Sequence, residues 1–306
     1  MTVLVGPVAI GFAMLVGIWA VAAIDAAVAS AVAGRGLRPR RAALAPLRRA
    51  LVLAGQGPVT TERPDGAAWV VAAPGLLALA GAALSAVPLT GGVAVADIPD
   101  GLVLYGAAMA LVMVAVFLHG WAPNSPFPLI GAYRFAAQAL SYQIALFLVL
   151  LGAALPSGSL GLGAIVESQA GLWNVVRQPL GLPLFLVTGM ALSFWGPLGL
   201  ADGADLAGGT AGESSGRELL VWRAARAGVL VATAAVAAAC FLGGWFGPLL
   251  PGPAWMVLKT LAVLVVLVTP AHLVPRLRIE RFVTLGWTVL LPLALFDVFA
   301  AGVVAL

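Results

Sequence analysis

The chain reads as an all-α polytopic membrane protein of about eight transmembrane helices, and three observations predict it. Of 306 residues, 62% are hydrophobic and only 9% are charged, against about 25% charged in an average soluble domain. Apolar runs recur at about 17–25 residues, the length a helix needs to cross roughly 30 Å of hydrocarbon. Within those runs apolar and polar residues do not alternate, which argues against a membrane barrel, the other structure that satisfies its own backbone in lipid.

Taken in order, the first span covers about residues 2–33 and is apolar except for Asp25. A cleavable signal peptide is the competing reading, but no basic segment precedes the apolar run, so a retained span is expected. Residues 34–66 form a basic loop that opens with Arg35, Arg38, Arg40, Arg41, Arg48 and Arg49, with a short interfacial helix expected around 44–53. Core spans follow at about 67–89, 101–120, 132–155, 183–200, 228–246, 254–268 and 282–306. The proline and glycine residues gather at span ends and in loops, no long repeat is visible, and residues 1–306 read as a single transmembrane domain.

Charge then orients the bundle. Of the 16 lysines and arginines, 14 fall before the second span, at the entry to the fourth, between the fifth and sixth, or between the seventh and eighth; Arg177 and Lys259 remain. The positive-inside rule places those basic segments in the cytoplasm and both termini on the opposite, non-cytoplasmic face. Cys240, His119 and His272 are too few and too scattered for a disulfide framework, a cysteine-based metal site or a haem pair within one helix. Neither a dinucleotide fingerprint nor a P-loop nor a nucleophile elbow is present, and nothing points to nucleic acid as a partner. Any redox cofactor therefore belongs to a partner protein, with no cofactor bound by this chain.

Polar residues inside such a chain are costly and mark candidate sites. Residues 120–143, GWAPNSPFPLIGAYRFAAQALSYQ, interrupt the apolar pattern and then enter a span carrying Arg134, Gln138, Ser141, Tyr142 and Gln143. Arg134 is read either as snorkelling to the headgroups or as the floor of a cavity, with Gln138, Ser141 and Tyr142 continuing inward at helical spacing. Residues 197–218 hold Asp202, Asp205, Glu213 and Glu218, an acidic concentration in a basic protein. It is either a solvated flexible loop or a set of carboxylates pairing with Arg48, Arg49 or Arg134 around an entrance. Residues 167–179, ESQAGLWNVVRQP, are expected to be an interfacial anchor built on Trp173. Lys259 and Asp297 are ionisable groups at or within spans, close enough in the expected helix order for a contact.

These residues carry a resemblance. GWAPNSPFPLIGAYRFAAQALSYQ, SQAGLWNV, FLGGW with GPLLP, WMVLKT, VPRLRIERF and GWTVLLPLAL, in this order over roughly residues 95–300, resemble the H-type, quinone-site membrane subunit family of bacterial proton-pumping NADH:quinone oxidoreductase (complex I). Related subunits serve membrane hydrogenases and formate hydrogenlyases. The resemblance implies eight helices in this orientation, quinone as substrate, and residence in a bacterial inner membrane. It also implies partner subunits: a hydrophilic electron-transfer arm holding flavin and iron–sulfur clusters, and antiporter-like membrane neighbours set in lipid. It implies that Arg134, Gln138 and Tyr142, with Arg48 and Arg49, line a quinone tunnel. Asp202, Asp205, Glu213, Gln143 and Lys259 then fall along a proton relay, and Arg276 and Arg278 match basic positions of the last cytoplasmic loop.

The departures from the family fall where a relay needs acids. The family reads Ser-Tyr-Glu where this chain has Ser141, Tyr142 and Gln143, and an amide of the same size cannot titrate. Its Pro-Phe-Asp stands here as Pro197, Leu198 and Gly199, and the tyrosine of its Glu-Tyr-Ser-Gly signature is Ser214. The expected function is therefore a quinone-access subunit with a weakened proton relay; a membrane anchor in a related complex that pumps no protons is the alternative.

Overall fold

The computed structural model describes residues 2–36, 38–59, 62–91 and 98–305. Among them the chain is helical and contains no strand. The helices are α1 Thr2–Val32, α2 Pro39–Gly55, α3 Gly66–Ser85, α4 Gly101–Trp121, α5 Pro126–Ala154, α6 Leu162–Glu167, α7 Asn174–Arg177 and α8 Gly181–Leu192. They continue as α9 Gly216–Phe241, α10 Gly252–Val268, α11 Pro270–Leu273, α12 Ile279–Leu285, a π-helical turn at Gly286–Leu290, and α13 Leu291–Ala305. Seven helical stretches among the described residues are long and apolar enough to cross a membrane.

The expected interfacial helix is present and longer than the sequence suggests. α2 is amphipathic, leaving Leu44, Leu47, Leu51 and Val52 exposed beside Arg40, Arg41, Arg48 and Arg49, the composition of a helix lying in the headgroup plane. The stretch expected to span at 183–200 differs more. Its helix, α8, has 12 residues and so is about 18 Å long, short of the hydrocarbon thickness. It ends at Leu192, and Gly196–Leu198, Ala204–Leu206 and Gly209–Ala211 follow as isolated 3₁₀ turns.

α9 organises the packing. Every residue from 227 to 241 is buried, and the helix touches α1, α2, α3, α5, α6, α7, α8 and α10. A helix apolar on all sides is one surrounded by other helices. Its small residues, Ala232, Ala234, Ala235, Ala237, Ala238 and Ala239, let neighbours approach closely, which is how helices associate where lipid supplies no hydrophobic drive. At Gly189 on α8, a Cβ would meet Thr233 Cγ2 at 2.5 Å, so α8 and α9 touch backbone to side chain there.

Within residues 167–179, expected from the sequence as a surface anchor, Gln169, Asn174 and Gln178 are buried and form a clamp, while Glu167, Ala170, Gly171, Leu172, Val176 and Pro179 stay exposed. Asn174 Nδ2 donates to Ala153 O at 3.1 Å and Cys240 O at 2.9 Å. Gln169 Nε2 donates to Ala239 O at 2.8 Å, while its Oε1 accepts from Gly243 N at 3.0 Å. Gln178 Nε2 donates to Gly152 O at 2.6 Å. The physical reason is the helix terminus: the last carbonyls of α5 and α9 have no intrahelical donor, and these three amides supply it. Replacing Asn174 with Ala is expected to lower stability by about 2 kcal/mol, since two hydrogen bonds are lost and their carbonyls stay buried. Thermal unfolding in mild detergent measures this, and an unchanged midpoint would show that the clamp is dispensable.

Candidate functional site

The site grows from the break after α8. Once that helix stops, the chain must satisfy its own backbone in the protein interior, and it does so with a loop folded onto α5 and held by Arg226 of α9. Gly131 on α5 has no side chain to hold the loop off: a Cβ there would lie 2.6 Å from Ala201 O and 2.9 Å from Thr210 N. Phe194 adopts a left-handed backbone, φ 39°, which is strained for a bulky residue and persists only where its surroundings impose it.

What imposes it is Arg226. Its Nε donates to Ser193 O at 3.3 Å, Nη2 donates to Phe194 O, and Nη1 reaches Asp202 Oδ2 at 2.9 Å. The guanidinium also lies over the Phe194 ring at 4.5 Å and the Trp195 ring at 5.0 Å from the centroids, a cation–π arrangement that strengthens away from water. Asp202 is as fully engaged: Thr210 Oγ1 donates to its Oδ1, and Arg276 Nη1 donates to its backbone carbonyl at 2.6 Å. The Arg226 and Asp202 side chains are 18% and 8% exposed, so this is a buried pair with its hydrogen bonds filled, the form in which such a pair is tolerated.

Outside it lies a second, open pair. Arg134 Nη1 meets Asp205 Oδ2 at 2.6 Å, with 29% and 61% of the side chains exposed. The hydrogen bond from Arg134 holds the Asp205 carboxyl below the usual carboxylate range, with the Arg134 charge acting in the same sense. Asp205 therefore stays ionised as pH falls to its ordinary titration range, and the contact is lost only in stronger acid. Arg134, Gly203, Asp205, Arg276, Arg278 and Glu280 line a cavity of about 380 Å³. Its walls carry fixed charge of both signs, beside the apolar Leu200, Leu277 and Ile279.

From this cavity polar side chains continue along α5. Gln138 Nε2 donates to Ala191 O at 2.8 Å and Leu198 O at 2.9 Å, closing the end of α8, and its Oε1 is buried without a partner among the described residues. Tyr142 follows one turn deeper, fully buried, with its hydroxyl likewise unpartnered. Tyr105 OH donates to Thr233 Oγ1 at 3.3 Å in the same interior. Gln143 is half-buried, and its Nε2 has no partner among the described residues. Ser141 Oγ turns back onto its own helix, donating to Ala137 O at 2.8 Å.

The structure brings Arg134, Asp202, Asp205 and Arg276 together, with Gln138 beneath them. Glu213 stands slightly apart, accepting from Ser125 Oγ at 3.2 Å. Arg49 pairs with Asp25 at 3.8 Å, and His272 Nε2 meets the other Asp25 oxygen at 2.9 Å, joining α1 to α2 and α11. Arg48 is exposed on α2. Lys259 lies elsewhere: its Nζ donates to Gly244 O at 2.9 Å and Phe246 O at 2.6 Å, and sits 4.2 Å from the Trp173 ring centroid. Its bonds go to these carbonyls and not to Asp297. No group of three or more metal-ligating side chains occurs among the described residues.

Arg226 was missed as a site residue because the sixth span was expected to begin at 228, leaving it in a loop; α9 begins at Gly216 and carries Arg226 inside the helix. His119 was missed for a different reason. Its ring is stacked between Trp222 at 3.7 Å and Trp69 at 5.1 Å, and its Nε2 is hydrogen-bonded to Ser214 Oγ at 2.9 Å. Those partners lie 50 to 103 positions away, and no spacing in the sequence signals them.

Comparison with known proteins supplies the family. The NADH dehydrogenase family matches residues 4–302. An NADH-quinone oxidoreductase H-type subunit of Rhodopseudomonas palustris (strain HaA2), the one numbered 1, is 37% identical over 232 residues, 72% of this chain and 73% of that protein. The H-type subunit numbered 2 of Rhodopseudomonas palustris (strain ATCC BAA-98 / CGA009) is 35% identical over 239 residues, 75% of each chain. The corresponding H-type subunit of Geobacillus sp. (strain WCH70) is 36% identical over 226 residues, 72% of this chain and 68% of that protein.

The two ion pairs differ in what they hold together. Asp202→Ala is expected to cost about 3 kcal/mol or more, because it leaves the Arg226 charge buried and uncompensated. Arg134→Ala should change stability by less than about 1 kcal/mol, as its partner is largely solvated. Unfolding midpoints of the two variants in the same detergent test this, and equal losses would mean that burial does not separate the pairs.

Proposed function

The chain belongs to the NADH dehydrogenase family, and from that premise we propose that it is the quinone-access membrane subunit of a bacterial NADH:quinone oxidoreductase-type complex. In this reading the cavity at Arg134 and Asp205 is the part of the tunnel that receives the quinone headgroup. Flavin and iron–sulfur clusters reside in the partner subunits of a hydrophilic arm, and antiporter-like subunits adjoin the chain in the membrane. The arginine-rich end faces the cytoplasm of a cell with this protein in its inner membrane, as the positive-inside rule requires.

One observation carries the reading: a 380 Å³ cavity with an arginine held ready by an exposed carboxylate, beside apolar walls and the end of an interrupted helix. A quinone has an apolar ring and two carbonyl oxygens, which accept hydrogen bonds and gain negative charge on reduction. An arginine at the wall donates to such an oxygen and stabilises that charge where water is thinned out. Asp205 orients the guanidinium, while Asp202, Thr210 and Arg226 hold the loop that carries Asp205. The reduced quinone needs two protons. Gln138 and Tyr142 extend a polar line from the cavity toward the interior, with Asp202, Asp205 and Glu213 as the carboxylates at its mouth.

A second reading has a specific residue in its favour. Gln143 stands along this line with an amide where proton transfer needs a titratable group, which favours an anchor subunit of a related complex that holds a hydrophilic electron-transfer arm without moving protons across the membrane.

Replacing Arg134 with Ala removes one charge-assisted hydrogen bond, worth about 1.5–3 kcal/mol, and should lower quinone-dependent turnover by about ten- to hundredfold in a complex that still assembles. Unchanged turnover at saturating quinone would exclude Arg134 from the tunnel. For the coupling question the variant is Gln143→Glu, with the proton-to-electron ratio measured in sealed vesicles. The ratio is expected to rise if the remaining relay is continuous, and an unchanged ratio favours the non-pumping anchor.

A further inference from the structure

Away from the arginine-rich end, one carboxyl group has no part in anything described above. Asp297, on α13, is 2% exposed, and Gln178, just ahead of α8, is also 2% exposed. Asp297 Oδ2 and Gln178 Oε1 are both buried with no hydrogen-bond partner among the described residues. They share one small space. A Cβ on Gly152 would lie 3.2 Å from Asp297 Oδ2 and 3.6 Å from Gln178 Oε1, and a Cβ on Gly181 would lie 3.3 Å and 3.5 Å from the same two atoms. The Gln178 amide is not free to turn over, because its Nε2 donates to Gly152 O at 2.6 Å. Its oxygen is therefore the atom presented to the space, and two acceptors occupy it together.

Among the described residues nothing charged is placed to hold an ionised carboxylate there. α8 has no ionisable residue, and neither the π-helical turn nor residues 155–157 beside α13 carry one. On α5 the ionisable side chains Tyr133, Arg134 and Tyr142 lie ten or more residues from Gly152, about 15 Å or more along the helix. On α9 the nearest is the buried Cys240 thiol. Glu167 on α6 is exposed, the Arg177 guanidinium donates to Ser168 O at 3.0 Å, and Lys259 is bound to the carbonyls of Gly244 and Phe246. An ionised Asp297 would combine an unpaired charge with an unmatched acceptor, and each is costly in a buried, lipid-surrounded place. A single proton removes both faults, since a protonated carboxyl is a donor as well as an acceptor.

We propose that Asp297 is a proton-binding site, its carboxyl protonated at neutral pH and donating from Oδ2 to Gln178 Oε1. The proton then ties α13 to the start of α8 and, through the Gln178–Gly152 bond, to the end of α5. Removing it sets two acceptors against each other and loosens α13 at that contact. The site lies at the opposite end of α5 from Arg134 and does not rest on the quinone reading, because it needs neither electrons nor a partner subunit.

Infrared spectroscopy of the full chain purified in detergent tests it. At pH 7 a protonated-carboxyl C=O band is expected, shifting in heavy water and again on labelling with carboxyl-13C aspartate. The band should be lost in Asp297→Asn, which keeps a donor toward Gln178 and should unfold at the wild-type temperature, whereas Asp297→Leu, with no donor, should unfold earlier. The labelled wild-type chain carries the test even if a variant fails to fold. Absence of an aspartic-acid band at pH 7, a band that survives Asp297→Asn, or equal destabilisation by Asn and Leu would each overturn the proposal.

Discussion

A helix that ends inside a protein's apolar interior leaves carbonyls that no water reaches, and much of this structure answers that constraint at α8. With 12 residues, this helix cannot cross the hydrocarbon alone, so its start needs acceptors and its end needs donors from elsewhere. At its end, Gln138 binds the carbonyls of Ala191 and Leu198, while Arg226 binds those of Ser193 and Phe194. Before its start, Gln169, Asn174 and Gln178 serve the neighbouring termini of α5 and α9. The long helices α5 and α9 need such donors only at their ends, because along their length their backbone bonds are internal. An interrupted helix is therefore expensive, and what it provides here is irregular chain packed against α5, which lines a cavity between protein elements.

The cavity and the caps are consequently not separate structures. Arg226 is drawn into α9 to close α8, and its charge then requires a carboxylate, which Asp202 supplies. Asp202 in turn fixes the loop through Thr210 and Arg276. Only once this inner pair is satisfied does the loop present Asp205 outward to Arg134 at the cavity wall. The inner pair is a matter of stability, and the outer pair, being solvated, contributes little to it. Its value lies in where it holds the guanidinium.

Much of the fold was legible because a bilayer imposes a simple length and polarity rule, and seven apolar helical stretches follow it. α2 was legible from its basic, amphipathic composition. The association of Arg134 with the acidic loop was visible in outline, from two charge concentrations of opposite sign. What composition could not convey was the division of labour among polar residues. Gln138 looks like tunnel lining and spends its amide nitrogen on helix capping; Trp173 looks like a headgroup anchor and packs against Lys259. The partners of Gln138 and Lys259 are backbone carbonyls, and every residue carries one, so no pattern in the sequence identifies the particular carbonyl that lacks a donor. The length of α8 was hidden similarly: 183–200 is apolar throughout its first part, and hydropathy does not register a break satisfied by donors from distant helices.

The two ends of α5 show the same problem solved with different chemistry. At the Arg134 end, polar groups are charged, paired in opposite signs and partly hydrated, so their protonation states follow their partners and the solvent. At the Gly152 end they are amides, neutral at any pH, which bind carbonyls without importing charge into lipid. Arg177 and Lys259 stand at this end but are bound to the carbonyls of Ser168, Gly244 and Phe246, so nothing among the described residues is placed to balance a charge on Asp297. A carboxyl among amides fits them only by becoming, like them, a neutral group with both a donor and an acceptor. The chain thus separates the groups that respond to charge from those that must not, and α5 is the element along which one environment gives way to the other.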